Sequence, residues 1–228
     1  MKMHEDQLSI TTDVVRDLVS DQFPEWATMP VRPVPLVGTV NAIFRLGDGL
    51  AARFPLQPGD VEETRQRLRS EADAALQLRD HTSFAVPEPI AIGEPGAGYP
   101  LPWSVQSWLP GATASEDDVS NSALFARDLA KFIEEVRAID LRGRTFTGRG
   151  RGGDLPSHDE WMETCFHQSV QLVDVGRLRP IWQRLRTLPR ENDDVMTHGD
   201  LIPGNVLVSG GRLAGVLDVG GLEDEPKR

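Results

Sequence analysis

Residues 197–220 read THGDLIPGNVLVSGGRLAGVLDVG. Two apolar stretches, Asn205–Val208 and Arg212–Leu217, flank Ser209-Gly210-Gly211, and paired glycines supply the positive φ angles of a tight hairpin turn. Pro203-Gly204 marks a second turn just ahead of the first strand. The segment thus predicts a polar loop carrying His198, Asp200 and Asn205, running directly into a hairpin that ends on Asp218. Any fold for this chain has to seat that loop and hairpin on a rigid support.

The residues before it divide into two halves. Thr11–Gln22 has Val14, Val15, Leu18 and Val19 at helical spacing. Val31–Val37, Ala42–Leu46 and Leu50–Phe54 are short apolar runs broken by Gly38-Thr39 and Gly47-Asp48-Gly49, which predicts strands and turns. Asp60 with Glu63 resembles a capping box that opens a helix to about Arg79. Two more strands are expected at Glu88–Ile92 and Ser104–Leu109, around Gly96-Ala97-Gly98. The first half is therefore an antiparallel sheet with a helix inserted after its third strand. The second half is mainly helical: Asn121–Ala138, with Leu124, Phe125, Leu129, Phe132, Ile133 and Val136 on one face, then Asp159–Val173 and Arg177–Leu188.

Composition narrows the function classes. With 228 residues the chain is long enough for one large domain or two lobes with a real core. A formal net charge of −11 works against nucleic acid and anionic membrane. It weakly favours cationic partners and fits ordinary surface solubility equally. The basic stretch at 142–157 has Phe146 as its one aromatic, so it reads as a surface loop rather than an RNA site. No apolar run is long enough for a membrane span, and MKMHEDQLSI lacks the apolar core of a secretion signal. Cys165 is the single cysteine, which rules out an internal disulfide and fits a cytoplasmic setting.

The loop and hairpin carry the chemistry. Phosphoryl transfer needs a carboxylate to orient the acceptor hydroxyl, hard oxygen ligands for Mg²⁺, and a fixed cation for the phosphates. His198-Gly199-Asp200 followed by Asn205 has the aspartate-to-asparagine spacing of a kinase catalytic loop. Asp218-Val219-Gly220 stands thirteen residues beyond Asn205, at the end of a hairpin strand, where kinases place a second metal-binding aspartate. Each tripeptide alone is a weak signal, and their order and spacing together are a strong one.

HGDLIPGNVLV and LAGVLDVGG, together with VGTVNAIFRLGDGLAARFP and the hinge-like VQSWLPG, resemble the aminoglycoside phosphotransferases. These are small-molecule kinases with a protein-kinase-like fold, and the resemblance runs from about residue 10 to Leu222. It implies an α+β, two-lobed fold, with a nucleotide-binding sheet lobe over residues 1–109 and a helical lobe over 110–228. It also implies ATP- or GTP-dependent phosphorylation of a hydroxyl on a small molecule, often an aminoglycoside or macrolide antibiotic. On this basis Asp200 deprotonates the acceptor, Asn205 and Asp218 hold Mg²⁺, and His198 braces the loop. The chain's lysines are Lys2, Lys131 and Lys227, none on the third strand, and Arg53 occupies the phosphate-binding place instead. A guanidinium suits that role because it can make two parallel hydrogen bonds to phosphate oxygens.

Glu71 is the expected ion-pair partner of Arg53, with Glu62, Glu63 and Asp73 competing on the same helix. Gly38 and Thr39 sit where a phosphate-covering loop belongs, although one glycine serves a plain hairpin turn nearly as well. Ser107, Trp108 and Leu109 are expected at the hinge that pairs with the base, with Trp108 divided between core packing and base stacking. Past Asp218 the sequence runs VGGLEDEPKR, whereas the family continues into further helices. The expectation is a second lobe lacking its last helices, with exposed surface open to self-association. The alternative expectation is a catalytically silent nucleotide-binding protein or a non-functional remnant. The resemblance does not specify the acceptor or the choice between ATP and GTP.

Overall fold

The computed structural model describes residues 7–35, 40–116, 119–143, 155–189 and 193–219. Gly38, Thr39, Gly220 and most of the basic stretch at 142–157 lie outside these described residues.

Helix α1 (Thr12–Gln22) starts where Thr11 Oγ1 accepts the Val14 amide at 3.3 Å, satisfying one of the unpaired donors of a helix N-terminus. Its apolar stripe, Val15, Leu18 and Val19, is buried. It packs on a five-stranded antiparallel sheet built from β1 (Val31–Pro33), β2 (Asn41–Leu46), β3 (Leu50–Pro55), β4 (Pro89–Gly93) and β5 (Trp103–Ser107). The strand order is β1-β2-β3-β5-β4. Side chains alternate across a strand, so Phe44, Leu46, Ala52, Phe54, Trp103 and Val105 form one apolar face against α1. Phe54 stacks on Trp103 with ring centroids 4.9 Å apart. Trp103 in turn requires its cross-strand neighbour Gly93, because a Cβ there would lie 2.2 Å from the indole Cε2.

Helix α2 (Val61–Arg79) follows β3, and Asp60 Oδ1 accepts the amides of Glu62 and Glu63 at 2.8 and 3.0 Å. It crosses the other face of the sheet, so the alternation that buries Phe54 turns Arg53 toward the helix. The far end of α2 serves a second core. Ala74, Ala75 and Leu78 pack with Phe132 and Val136 of α3 (Ala123–Arg137) and with Met196, Val206, Leu213 and Val216. The helix thus bridges the sheet, where it lies against β4 and β5, and this second core.

The hairpin forms as β7 (Val206–Ser209) and β8 (Arg212–Val216), with Gly210 at φ 58° and Gly211 at φ 71° in the turn. Sequence reading missed β6 (Ala112–Thr113), a two-residue strand that pairs with β7 and has no pattern long enough to detect. Gly215 lies against the backbone of Ala85, where a Cβ would meet the Ala85 carbonyl at 2.9 Å, and the Val216 amide donates to the same oxygen at 2.9 Å. The hairpin is therefore fastened to the segment that links α2 to β4.

Several boundaries differ from expectation. The first strand ends at Pro33, and the last two helices are shorter: α4 (Asp159–Gln168) and α5 (Val175–Leu185). On α3, Leu124 and Ile133 were expected on the apolar face but are 50% and 40% exposed, while Asp128 is buried. The reason is a bidentate pair: Arg212 Nε and Nη2 donate to Asp128 at 2.7 and 2.6 Å, which rotates that side of the helix onto β8. The Arg212 hydrogen bonds hold the Asp128 carboxyl below the usual carboxylate range. The segment of α4 and α5 leaves apolar side chains exposed, Leu172 and Trp161 most of all.

Candidate active site

Position in the hairpin decides where the loop residues go. The Leu217 amide donates to the Asn205 carbonyl at 2.8 Å, so the two ends of the hairpin are stitched together. Asn205 Nδ2 donates to the Asp200 carbonyl at 3.0 Å and to its carboxylate Oδ2 at 3.3 Å. Both Asn205 amide contacts to Asp200 use nitrogen, and the oxygen Oδ1 takes part in neither. Next along the chain, Asp218 has φ 55°, a left-handed conformation that a short polar side chain tolerates better than most. That twist follows directly on β8 and turns the carboxylate off the line of the strand.

His198 ties the arrangement from below. Its Nδ1 accepts the Asp200 amide at 3.3 Å, so Nε2 carries the proton and donates to the Leu217 carbonyl at 3.0 Å. The ring is 3% exposed and meets Phe132 edge-on at 6.1 Å. Burial pushes its pKa below the ordinary 6.5, against the opposing pull of the Leu217 hydrogen bond and the charges of Asp218 and Asp200. A neutral ring with both nitrogens engaged braces the loop and holds no proton in reserve for the chemistry.

The sign of the pH effect follows. Below pH 6.5 the unfolded chain takes up a proton that the folded site resists. This contribution to stability is complete above that value and is lost as pH falls through the lower folded pKa. Urea melts of metal-free protein at several pH values are expected to show acid destabilisation that His198→Gln reduces, alongside lower stability at neutral pH. An unchanged pH profile in the variant would remove the assignment.

Across the cleft, Arg53 holds two acids at once. Its Nη1 lies 3.5 Å from Glu71 Oε2 and its Nη2 lies 3.2 Å from Asp218 Oδ1. The Arg53 and Glu71 side chains are 14% and 20% exposed, so water screens this contact only partly. The competing acids are placed elsewhere: Glu62 pairs with Arg65, while Glu63 and Asp73 are exposed. Arg53, Glu71 and Asp218 also share the wall of a cleft of about 270 Å³ between α2 and strands β4 and β5. Arg67, which sequence reading overlooked, donates to the other Glu71 oxygen at 3.2 Å. Its spacing of four residues from Glu71 was the available signal.

The hinge residues are partly committed to the sheet. The Ser107 amide donates to the Glu88 carbonyl at 2.9 Å, and the Trp108 amide donates to the Gly49 carbonyl at 2.8 Å. The Trp108 ring is half-buried and joins neither core, and the Arg45 guanidinium lies 4.9 Å from its centroid. Leu109 packs toward Gly215, tying the end of β5 to the hairpin. Among the described residues the structure thus joins Asp200, Asn205, Asp218, Arg53 and Glu71 in one connected set. It places Ser107 at the end of β5, next to β3, with Trp108 and Leu109 just beyond the strand, which is shorter than the expected Ser104–Leu109.

A model of the phosphotransferase enzyme family matches residues 34–222, which include every element of this set. The chain belongs to that family. An aminoglycoside 3'-phosphotransferase of Streptomyces fradiae is 30% identical over 184 residues, covering 73% of this chain. The match spans 63% of that relative's own length. Among solved structures, the GDP complex of wild-type aminoglycoside 2'-phosphotransferase-IIIa superposes with a TM-score of 0.68 at 21% identity, over 93% of this chain and 73% of the other. A macrolide 2'-phosphotransferase from Brachybacterium faecium gives 0.63 at 19% identity, over 92% and 72%. At these identities the structural likeness establishes the fold, a sheet lobe joined to a mainly helical one. It leaves the roles of individual residues in this family member to the geometry above.

Proposed function

We propose that this chain moves the γ-phosphoryl group of ATP or GTP onto a hydroxyl of a small molecule, an aminoglycoside or a macrolide being the favoured acceptor class. The observation that carries the reading is the unbroken path of contacts from Asp200 through Asn205 and Leu217 to Asp218, and on through Arg53 to Glu71. Asp200 orients the acceptor hydroxyl and takes its proton, since an acceptor-only carboxylate suits that task. Arg53 keeps Glu71 through Nη1, and its Nη2, which meets Asp218 in the free protein, turns to a phosphate oxygen when nucleotide binds.

The donor set fits Mg²⁺. An Asp218 carboxylate and an Asn205 amide oxygen are hard ligands, and Mg²⁺ takes few protein ligands, filling its octahedron with water and phosphate oxygens. When bound, the ion offsets charge on the transferring phosphoryl group. We place the base against residues 107–109, where the Leu109 amide is the donor left for it once Ser107 and Trp108 are engaged in the sheet. Gly38 and Thr39 remain proposed phosphate-loop residues, and we set the lobe boundary at 109/110. A relative solved with GDP supports a guanine nucleotide, and others solved with ATP or ADP support an adenine one. Part of the same proposal is a cytoplasmic setting; among the described residues no helix is long and apolar enough to cross a membrane. The exposed apolar residues of α4 and α5 support self-association of the chain.

The direct test incubates the protein with Mg·ATP or Mg·GTP and a panel of aminoglycosides and macrolides, and weighs the products by mass spectrometry. No acceptor gaining a phosphoryl group across the panel would sink the proposal. Arg53→Met is expected to weaken Mg·nucleotide binding by about 10- to 100-fold, the worth of a charge-assisted hydrogen bond. Arg53→Lys should recover part of that, because it restores the charge without the planar fork. Calorimetric titration checks both, and equal affinity in Arg53→Met and the wild type would exclude Arg53 as the phosphate-binding cation.

A further inference from the structure

We infer that Arg67 is a positioning residue for the nucleotide site, acting on Arg53 through Glu71; this rests on the phosphotransferase reading above. Glu71 is shared. Its Oε2 faces Arg53 Nη1 at 3.5 Å, and its Oε1 accepts from Arg67 Nη1 at 3.2 Å. A carboxylate gripped on one oxygen can swing about its last side-chain torsion. Gripped on both, it presents a fixed oxygen to Arg53. The resulting row, Arg67, Glu71, Arg53 and Asp218, alternates in charge along its whole length.

Helix α2 explains why Arg67 can do this. Thr64, Leu68, Ala75 and Leu78 mark its buried stripe, and Arg67 borders that stripe one turn before Glu71. The Arg67 side chain is 39% exposed, so replacing it removes a tether without opening a core. Glu71, at 20% exposure, would otherwise face one cation that is itself divided between two acids.

The test is a double-mutant cycle on Mg·AMP-PNP affinity, read by calorimetry, with the melting temperature of each free protein as a control. Arg67→Met is expected to weaken binding by about 3- to 10-fold, equivalent to about 0.6–1.4 kcal/mol. The melting temperature should stay within about 2 °C, as for a surface substitution. Arg67→Lys should restore most of the affinity. In a Glu71→Gln background the Arg67→Met effect should shrink below about 2-fold, because the path through the carboxylate has already been weakened. Wild-type affinity in Arg67→Met would overturn the assignment. An undiminished effect in the Glu71→Gln background would overturn it too, because Arg67 would then act on the nucleotide directly. No binding to the wild type would remove the phosphotransferase reading together with this one, whereas binding that ignores Arg67 removes this one alone.

Discussion

Asp200→Asn is expected to lower kcat by about 10²- to 10⁴-fold, the usual worth of a positioned general base. Affinity for Mg·nucleotide should change by less than about tenfold, an effect under 1.4 kcal/mol. The substitution keeps the shape of the side chain and the Asp200 backbone carbonyl, which takes the shorter of the two Asn205 contacts at 3.0 Å. The loop should therefore stay in place while the proton acceptor is lost. A base that acts only as the acceptor hydroxyl reacts lowers kcat and kcat/KM together and leaves binding alone. Steady-state kinetics on whichever acceptor is phosphorylated, paired with calorimetry for the nucleotide, separates these. Undiminished kcat would strike Asp200 from the mechanism, and a collapse of nucleotide binding would reassign it to the metal or to the fold.

Phe132→Ala is expected to cost about 3–5 kcal/mol of stability, as truncation of a fully buried aromatic commonly does. Phe132 has no exposed surface, and its ring meets Phe84 at 6.2 Å and His198 at 6.1 Å. It joins α3, the connection after α2 and the loop of His198 and Asp200, so the cavity opens under all three. With total stabilities of about 5–15 kcal/mol for ordinary domains, such a loss leaves little margin. Ile133→Ala is the matched control: the adjacent residue is 40% exposed, and its truncation should cost less than about 1 kcal/mol. Urea titrations followed by circular dichroism measure both. Similar costs for the two substitutions would show that Phe132 is not the keystone of this core.

The helical face of α3 shows where pattern reading failed. Apolar periodicity put Leu124 and Ile133 inside, but it has no means of valuing a buried carboxylate whose partner lies 84 residues away. Arg212 supplies that partner only after the hairpin is folded. The strand β6 escaped for a related reason, since two residues carry no period and pair only because β7 is beside them. By contrast, α1, α2 and the Gly210-Gly211 turn were legible, because caps, stripes and positive-φ glycines act within a few residues.

The site divides in the same way. Sequence alone determined the order and spacing of Asp200, Asn205 and Asp218, and the arginine at position 53 where a lysine is usual. It also narrowed the partner of Arg53 to four acids on one helix. Only tertiary structure brought Glu71, already the favoured one of these, to Arg53, drew Arg67 onto its second oxygen and set the proton of His198 on Nε2. The physical reason is range. Spacing along a strand or turn is a property of neighbouring residues, whereas the choice of an ion-pair partner depends on where a helix lands against a sheet. That landing follows from how α2 lies against β4 and β5 while its far end packs into the second core.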